Sequence, residues 1–154
     1  MIGPLSPGPF PLAETLLRLK QHAPRLKLVG NAADLRTAVD QKLSMASMPA
    51  AYVVRQERAI KTDGASGGVL IQHVHVDLVV VLYVRNHGNE LSGARAASDM
   101  DQVIAQVRGA LLNWTPTPGA IPITHNASRD QAYQAGTLIA QELFQTRYRI
   151  EVRP

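Results

Sequence analysis

A chain of 154 residues with a net charge of +4, a pI near 9.8 and no cysteine excludes disulfide frameworks and thiolate metal sites at once. A length of this order buries roughly 68–70% of the unfolded surface in one core, so a single domain over residues 1–154 is expected, in a reducing compartment. The longest apolar run, Leu78 to Val84, is seven residues, far below the roughly 18 that a membrane-spanning helix needs.

The first eleven residues hold four prolines and two glycines and read as an extended arm. Prolines stand where a secretory signal would carry its basic and apolar regions, so a soluble cytoplasmic protein is expected. Leu12 to His22 forms a helix with Leu12, Leu16 and Leu19 or Lys20 at helical spacing, ended by Pro24. Leu26 to Val29 is a short strand. Gly30-Asn31 turns the chain, and Asn31 caps a second helix from Ala32 to about Leu43, with Asp34 in its first turn and a stripe of Leu35, Val39 and Leu43. After a loop from Ser44 to Pro49, Ala50 to Arg55 is a strand. Gln56 to Gly68 is a polar excursion longer than ordinary hairpin loops, hence a protruding hairpin arm.

Leu70 to Arg85 (LIQHVHVDLVVVLYVR) is a β-branched run about twice the usual strand length and must be the spine of a sheet. Asn86 to Gly93 is a turn. A third helix starts at Ala94 or Ser98 and runs to Leu112. Met100, Val103, Ile104, Val107 and Leu111 give it the strongest helical pattern in the chain, and Ser98 with Asp101 resembles a capping box. Asn113 to Pro122 is irregular and anchored by Trp114; Ile121 to His125 is a strand. Gly136 to Val152 closes the chain as a strand, with Phe144, Tyr148, Ile150 and Val152 on one face and Arg147, Arg149, Glu151 and Arg153 on the other. The order implies an α+β fold, a mainly antiparallel sheet with helices packed on it.

Several motifs invite chemistry. His73, His75 and Asp77 at i, i+2, i+4 leave one sheet face, as in some zinc sites. The same spacing describes a sheet face exposed at its start and covered at its end by Val79, Val81 and Tyr83, and no second cluster of His and carboxylate supports a metal. Gly64-Ala65-Ser66-Gly67-Gly68 has the letters of a nucleophile elbow, but a polar stretch precedes it and a strand follows, the reverse of what the elbow needs. It also lacks the Lys-Ser/Thr ending of a phosphate loop. Asn126-Ala127-Ser128 fits a glycosylation acceptor only in a secreted chain. The basic charge is scattered, without a Lys/Arg block, and one Trp, four Tyr and two Phe are few for base stacking. Arg147, Arg149 and Arg153 share one side of a strand. They suit phosphate, an acidic partner, or an edge blunted by charge.

With the pieces in order, the chain resembles the tail terminator proteins of long-tailed phages, in particular the Mu-like family. The likeness spans most of the chain: a helix ending near PRLKLVG, then NAADLRTAV, PAAYVV before a polar arm, QHVHVDLVVVLYVRN, a helix ending in ALLNWTP, and the closing LFQTRYRI. Family members often carry Gly where Asn31 and Asn113 stand. The resemblance implies an α+β fold, hexameric rings on the end of the tail tube, an end to tube growth, and a surface that joins the head. It implies no catalytic residue, metal or cofactor. Its partners would be further copies of the chain, the tail tube protein and a head-completion protein, with no membrane and no specific nucleic-acid binding. The site would be host cytoplasm during assembly, then the virion tail of a phage or prophage. The candidate assembly residues are Arg55, Arg58 and Lys61 around the 56–68 arm, and Arg147, Arg149 and Arg153 on the last strand. Two rival readings are a small metal-dependent hydrolase using His73, His75 and Asp77, and a basic nucleic-acid-binding module whose affinity would fall steeply with salt.

Overall fold

The computed structural model describes residues 7–40, 47–63, 68–85, 94–134 and 136–154. Among them are α1 (Leu12–His22), β1 (Leu28–Asn31), α2 (Ala32–Asp40), β2 (Ala50–Asp63), β3 (Leu70–Arg85), α3 (Ala94–Leu111), β4 (Thr124–Gln134) and β5 (Thr137–Val152). The strands form one sheet in the order β1-β2-β3-β5-β4, antiparallel except for β1 against β2. This is the α+β architecture expected.

β3 is the spine. Every one of its residues pairs with β5, from Leu70 with Val152 to Arg85 with Thr137, and its other edge pairs with β2. Alternation then sorts its side chains. Val74, Val76, Leu78, Val80, Leu82 and Val84 enter a core with Ala51 and Val53 of β2 and Ala140, Phe144 and Tyr148 of β5. Leu19 of α1 and Met100, Val103, Val107, Ala110 and Leu111 of α3 cover this core, with Leu12, Leu16 and Ile104 packed at its margin. Among the described residues, the opposite face is covered at one end only. There Met48, Ala50, Tyr52, Val81, Tyr83 and Ile139 lie against Leu35 and Ala38 of α2, and the rings of Tyr52 and Tyr83 meet edge to face at 5.9 Å.

Local chemistry places α2. Asn31 N–H donates to Asp34 Oδ2 (2.8 Å) and Asp34 N–H donates to Asn31 Oδ1 (3.0 Å), a reciprocal capping box. A Cβ on Gly30 would lie 2.8 Å from Asp34 Cβ and 3.1 Å from Tyr52 Cδ1, so only glycine lets the helix start this close to β2. The stripe expected at Leu35, Val39 and Leu43 differs: Leu35 and Ala38 face the tyrosines, Val39 is 56% exposed, and Leu43 lies outside the described residues. The capping box fixes the rotation of this short helix and turns Val39 outward.

Other boundaries moved for physical reasons. The short strand is Leu28–Asn31, because Leu26 N–H is taken by Ala23 O in the turn after α1 and pairing with β2 begins at Leu28. The polar excursion after Arg55 is strand as far as Asp63, since β3 continues beside it and takes up its backbone groups through Ile71, with one bulge between Ala59 and Lys61. α3 begins at Ala94, which leaves Ser98 and Asp101 inside the helix instead of at its cap; the Ala-rich ARAA turn propagates it. β4 starts later than Ile121 and runs to Gln134, an edge strand whose polar sequence hides it. Asn113 adopts φ 62°, the left-handed conformation that turns the chain after α3. The segment it opens is fastened to β5 where Ile121 N–H donates to Arg147 O (2.9 Å) and Thr146 Oγ1 donates to Ile121 O (2.6 Å). The expected turns at 44–46, 64–67 and 86–93 lie outside the described residues.

Candidate functional site

Helices cover β3 from Val74 onward, and its first residues outrun that cover. Leu70 (43%), Val152 (41%) and Ile60 (44%) are exposed at this end. Here β2, β3 and β5 form a three-stranded extension whose register sets two cross-strand rows on the face opposite α1 and α3. One row is Arg58, His75 and Arg147; the next is Lys61, His73 and Arg149. Strands about 4.8 Å apart put the outer members of each row roughly 10 Å apart at Cα. Asp77 lies beyond the first row, and Asp63 and Glu151 beyond the second.

The six candidate residues therefore separate. Arg55 points to the other face, where its Nη1 donates to Phe10 O (2.6 Å). Lys61 Nζ is 3.4 Å from Asp63, and Arg149 Nη2 is 2.8 Å from Glu151. Arg58 and Arg147 are exposed and their guanidiniums have no ion pair or hydrogen bond among the described residues. Arg153 lies beyond the end of β5, exposed. An open depression of about 490 Å³ beside Arg147 is lined by His73, Gly119, Ile121, Tyr148 and Arg149.

The histidines share the face as expected but take different partners. His73 Nε2 donates to Asp63 Oδ2 (2.9 Å) and His75 Nε2 donates to Asp77 Oδ1 (2.9 Å). The bond from His73, reinforced by Lys61, holds the Asp63 carboxyl below the usual carboxylate range. Among the described residues, no three His, Asp or Glu side chains converge as a metal cage would require. The covered end of the face, at Val81 and Tyr83, is the packing under α2.

On the helix side, the expected N-terminal arm, whose residues 1–6 lie outside the described ones, is fastened at Phe10 to the base of the extension. Phe10 is fully buried. Its N–H donates to Glu57 Oε1 (2.7 Å) while its carbonyl accepts from Arg55, and Tyr148 OH donates to Glu57 Oε2 (3.1 Å). Burial, with the Glu57 charge beside it, pushes the Tyr148 phenol up to about 12.

A second polar cluster was missed in the sequence. Glu142 of β5 is fully buried on the core face. Arg108 Nε of α3 donates to its Oε1 (2.5 Å), Arg108 Nη2 donates to Ser128 Oγ (2.7 Å), and His125 Nε2 lies 3.0 Å from Ser128 Oγ and 3.6 Å from Glu142 Oε1. Glu142 Oε2 has no partner among the described residues. Ser, His and Glu meet here, yet one nitrogen of His125 faces both others, whereas a catalytic relay uses the two ring nitrogens separately. The geometry ties α3 to β4 and β5. Its signal in the sequence was parity: Glu142 is two residues from Phe144, hence on the core face.

The family model of the phage tail terminator protein matches residues 5–154, essentially the whole chain. No curated protein matches it.

Proposed function

We infer the function from one premise, that the chain belongs to the phage tail terminator family and so has a structural role in a phage tail. In this reading residues 1–154 act as one domain that caps the tail tube, stops its polymerisation and forms the surface the head joins. A tube grows because each added ring re-creates the surface it bound. A terminator matches the growing end with one face and offers a different surface on the other. One repeated head-to-tail contact closes such a cap into a ring, here of six copies, with the tail tube protein and a head-completion protein as its partners. The protein assembles in the host cytoplasm and ends in the virion tail. No catalytic group is called for.

The family match over the whole chain is the observation that carries this reading. The three-stranded extension supports it, since Arg58 and Arg147, without an ion pair among the described residues, offer a surface for another protein. Arg58, Lys61, Arg147, Arg149 and Arg153 are the proposed contacts, while Arg55 serves by holding the N-terminal arm. Light scattering over a concentration series, with negative-stain images of the large species and purified tail tubes added, tests the proposal. Rings of six that seat on tube ends are the expected result. A chain that remains monomeric and leaves tube ends bare contradicts it.

A further inference from the structure

We propose that the cross-strand row Arg58, His75 and Arg147 is a docking site for carboxylates on the surface of a partner protein; as the tube-facing contact it rests on the capping reading above. Three observations single out this row. Arg58 and Arg147 stand on either side of His75 in register, and both are exposed without an ion pair among the described residues. The neighbouring cations are already occupied, Lys61 by Asp63 and Arg149 by Glu151. His75 is occupied as well, by Asp77, which leaves the two guanidiniums as the open donors of the row.

Each guanidinium presents a planar fork that takes a carboxylate through two parallel hydrogen bonds. The spacing suits two acidic side chains roughly 10 Å apart, a distance β-strands supply across alternate neighbours. Charge on the same face favours protein over nucleic acid. Asp63, Asp77 and Glu151 border the two rows, and a protein surface can set its own cations against these acids while its carboxylates meet the arginines. Two open arginines also fall well short of the 6–10 phosphate contacts of a salt-sensitive DNA binder.

The test uses the full chain and two probes, immobilised poly-L-glutamate and purified tail tubes, with a 30-base-pair DNA duplex as comparison. The Arg58→Gln/Arg147→Gln variant is compared with Lys20→Gln/Arg25→Gln, which removes the same charge from the α1 side. Far-UV circular dichroism verifies that both fold. The expected result is at least tenfold weaker retention of the first variant on poly-glutamate, near wild-type retention of the second, and the same ordering in co-sedimentation with tubes. Equal loss in both variants shows only net charge at work and overturns the row, as does unchanged retention of the first. A wild-type shift of the DNA duplex that the first variant loses, without loss on poly-glutamate, reassigns the row to phosphate and overturns the proposal. Tubes that fail to sediment the wild type contradict the capping reading instead, and the poly-glutamate comparison then decides the row alone.

Discussion

Replacing Arg108 by alanine should unmask the cost of the buried Glu142 charge. Arg108 is the one described group within hydrogen-bond distance of that carboxylate, and Glu142 has no exposed side-chain surface. Stranding a buried charge costs about 3–5 kcal/mol. Arg108 is itself 41% exposed, so truncating it admits water to the carboxylate, and His125 at 3.6 Å offers a partial substitute. The expected loss is therefore about 2–3 kcal/mol. For 154 residues, unfolding entropy near 2 cal/mol/K per residue converts this to a fall in Tm of about 6–10 °C. Arg108→Met/Glu142→Leu removes both charges and keeps volume, and it should return to within about 1 kcal/mol of wild type. Urea unfolding followed by far-UV circular dichroism measures all of these. Protein concentration must be held fixed, because assembly shifts apparent stability. A loss under about 0.5 kcal/mol for Arg108→Ala, or a double variant no better than that single one, would refute the reasoning, since the charge would then not depend on its partner.

Three further outcomes follow from particular contacts. Gly30→Ala forces a Cβ to 2.8 Å from Asp34 and should cost about 1–3 kcal/mol by overpacking, read from the urea midpoint; no loss would mean that α2 is not held this close. Tyr148, its phenol pushed up to about 12 against about 10 when unfolded, contributes stability that is complete below pH 10 and lost as pH rises through 12. The urea midpoint of Tyr148→Phe should therefore lack the fall that the wild type shows in that window, and parallel curves would show that the phenol is not perturbed. Asn113 at φ 62° should tolerate glycine within about 0.5 kcal/mol but lose about 1 kcal/mol or more as valine, a ranking that thermal melts of the two variants would settle.

The expected boundaries of α1 and β3 agree with the structure because their patterns are strong over the whole element. Leu12, Leu16 and Leu19 repeat at helical spacing, and β3 is too long and β-branched for any other state. Patterns failed where both faces of a strand meet water. Residues 56–63 and 126–130 alternate nothing apolar, so nothing local marks them as strand, and only the adjacent β3 and β5 draw them into the sheet. Val39 shows the converse: an apolar residue at an acceptable helical position stayed outside, because a capping box and a glycine set the rotation of α2. At the candidate site, strand parity alone put His73, His75 and Asp77 on one face and Arg147 and Arg149 on one side of the last strand, whereas Arg153 falls beyond the end of β5.

What the sequence determined by itself was the order of elements, the α+β class and the family resemblance, because periodicity and residue order are properties of neighbours along the chain. Register belonged to the tertiary structure. Only the tertiary structure could set Arg58 and Arg147 on either side of His75, turn Arg55 to the arm, and bring Arg108 from α3 onto Glu142. Lys61 and Arg149 meet acids two residues along their own strands, Asp63 and Glu151, but the partners of Arg55 and Arg108 are distant in sequence, and no local pattern contains them.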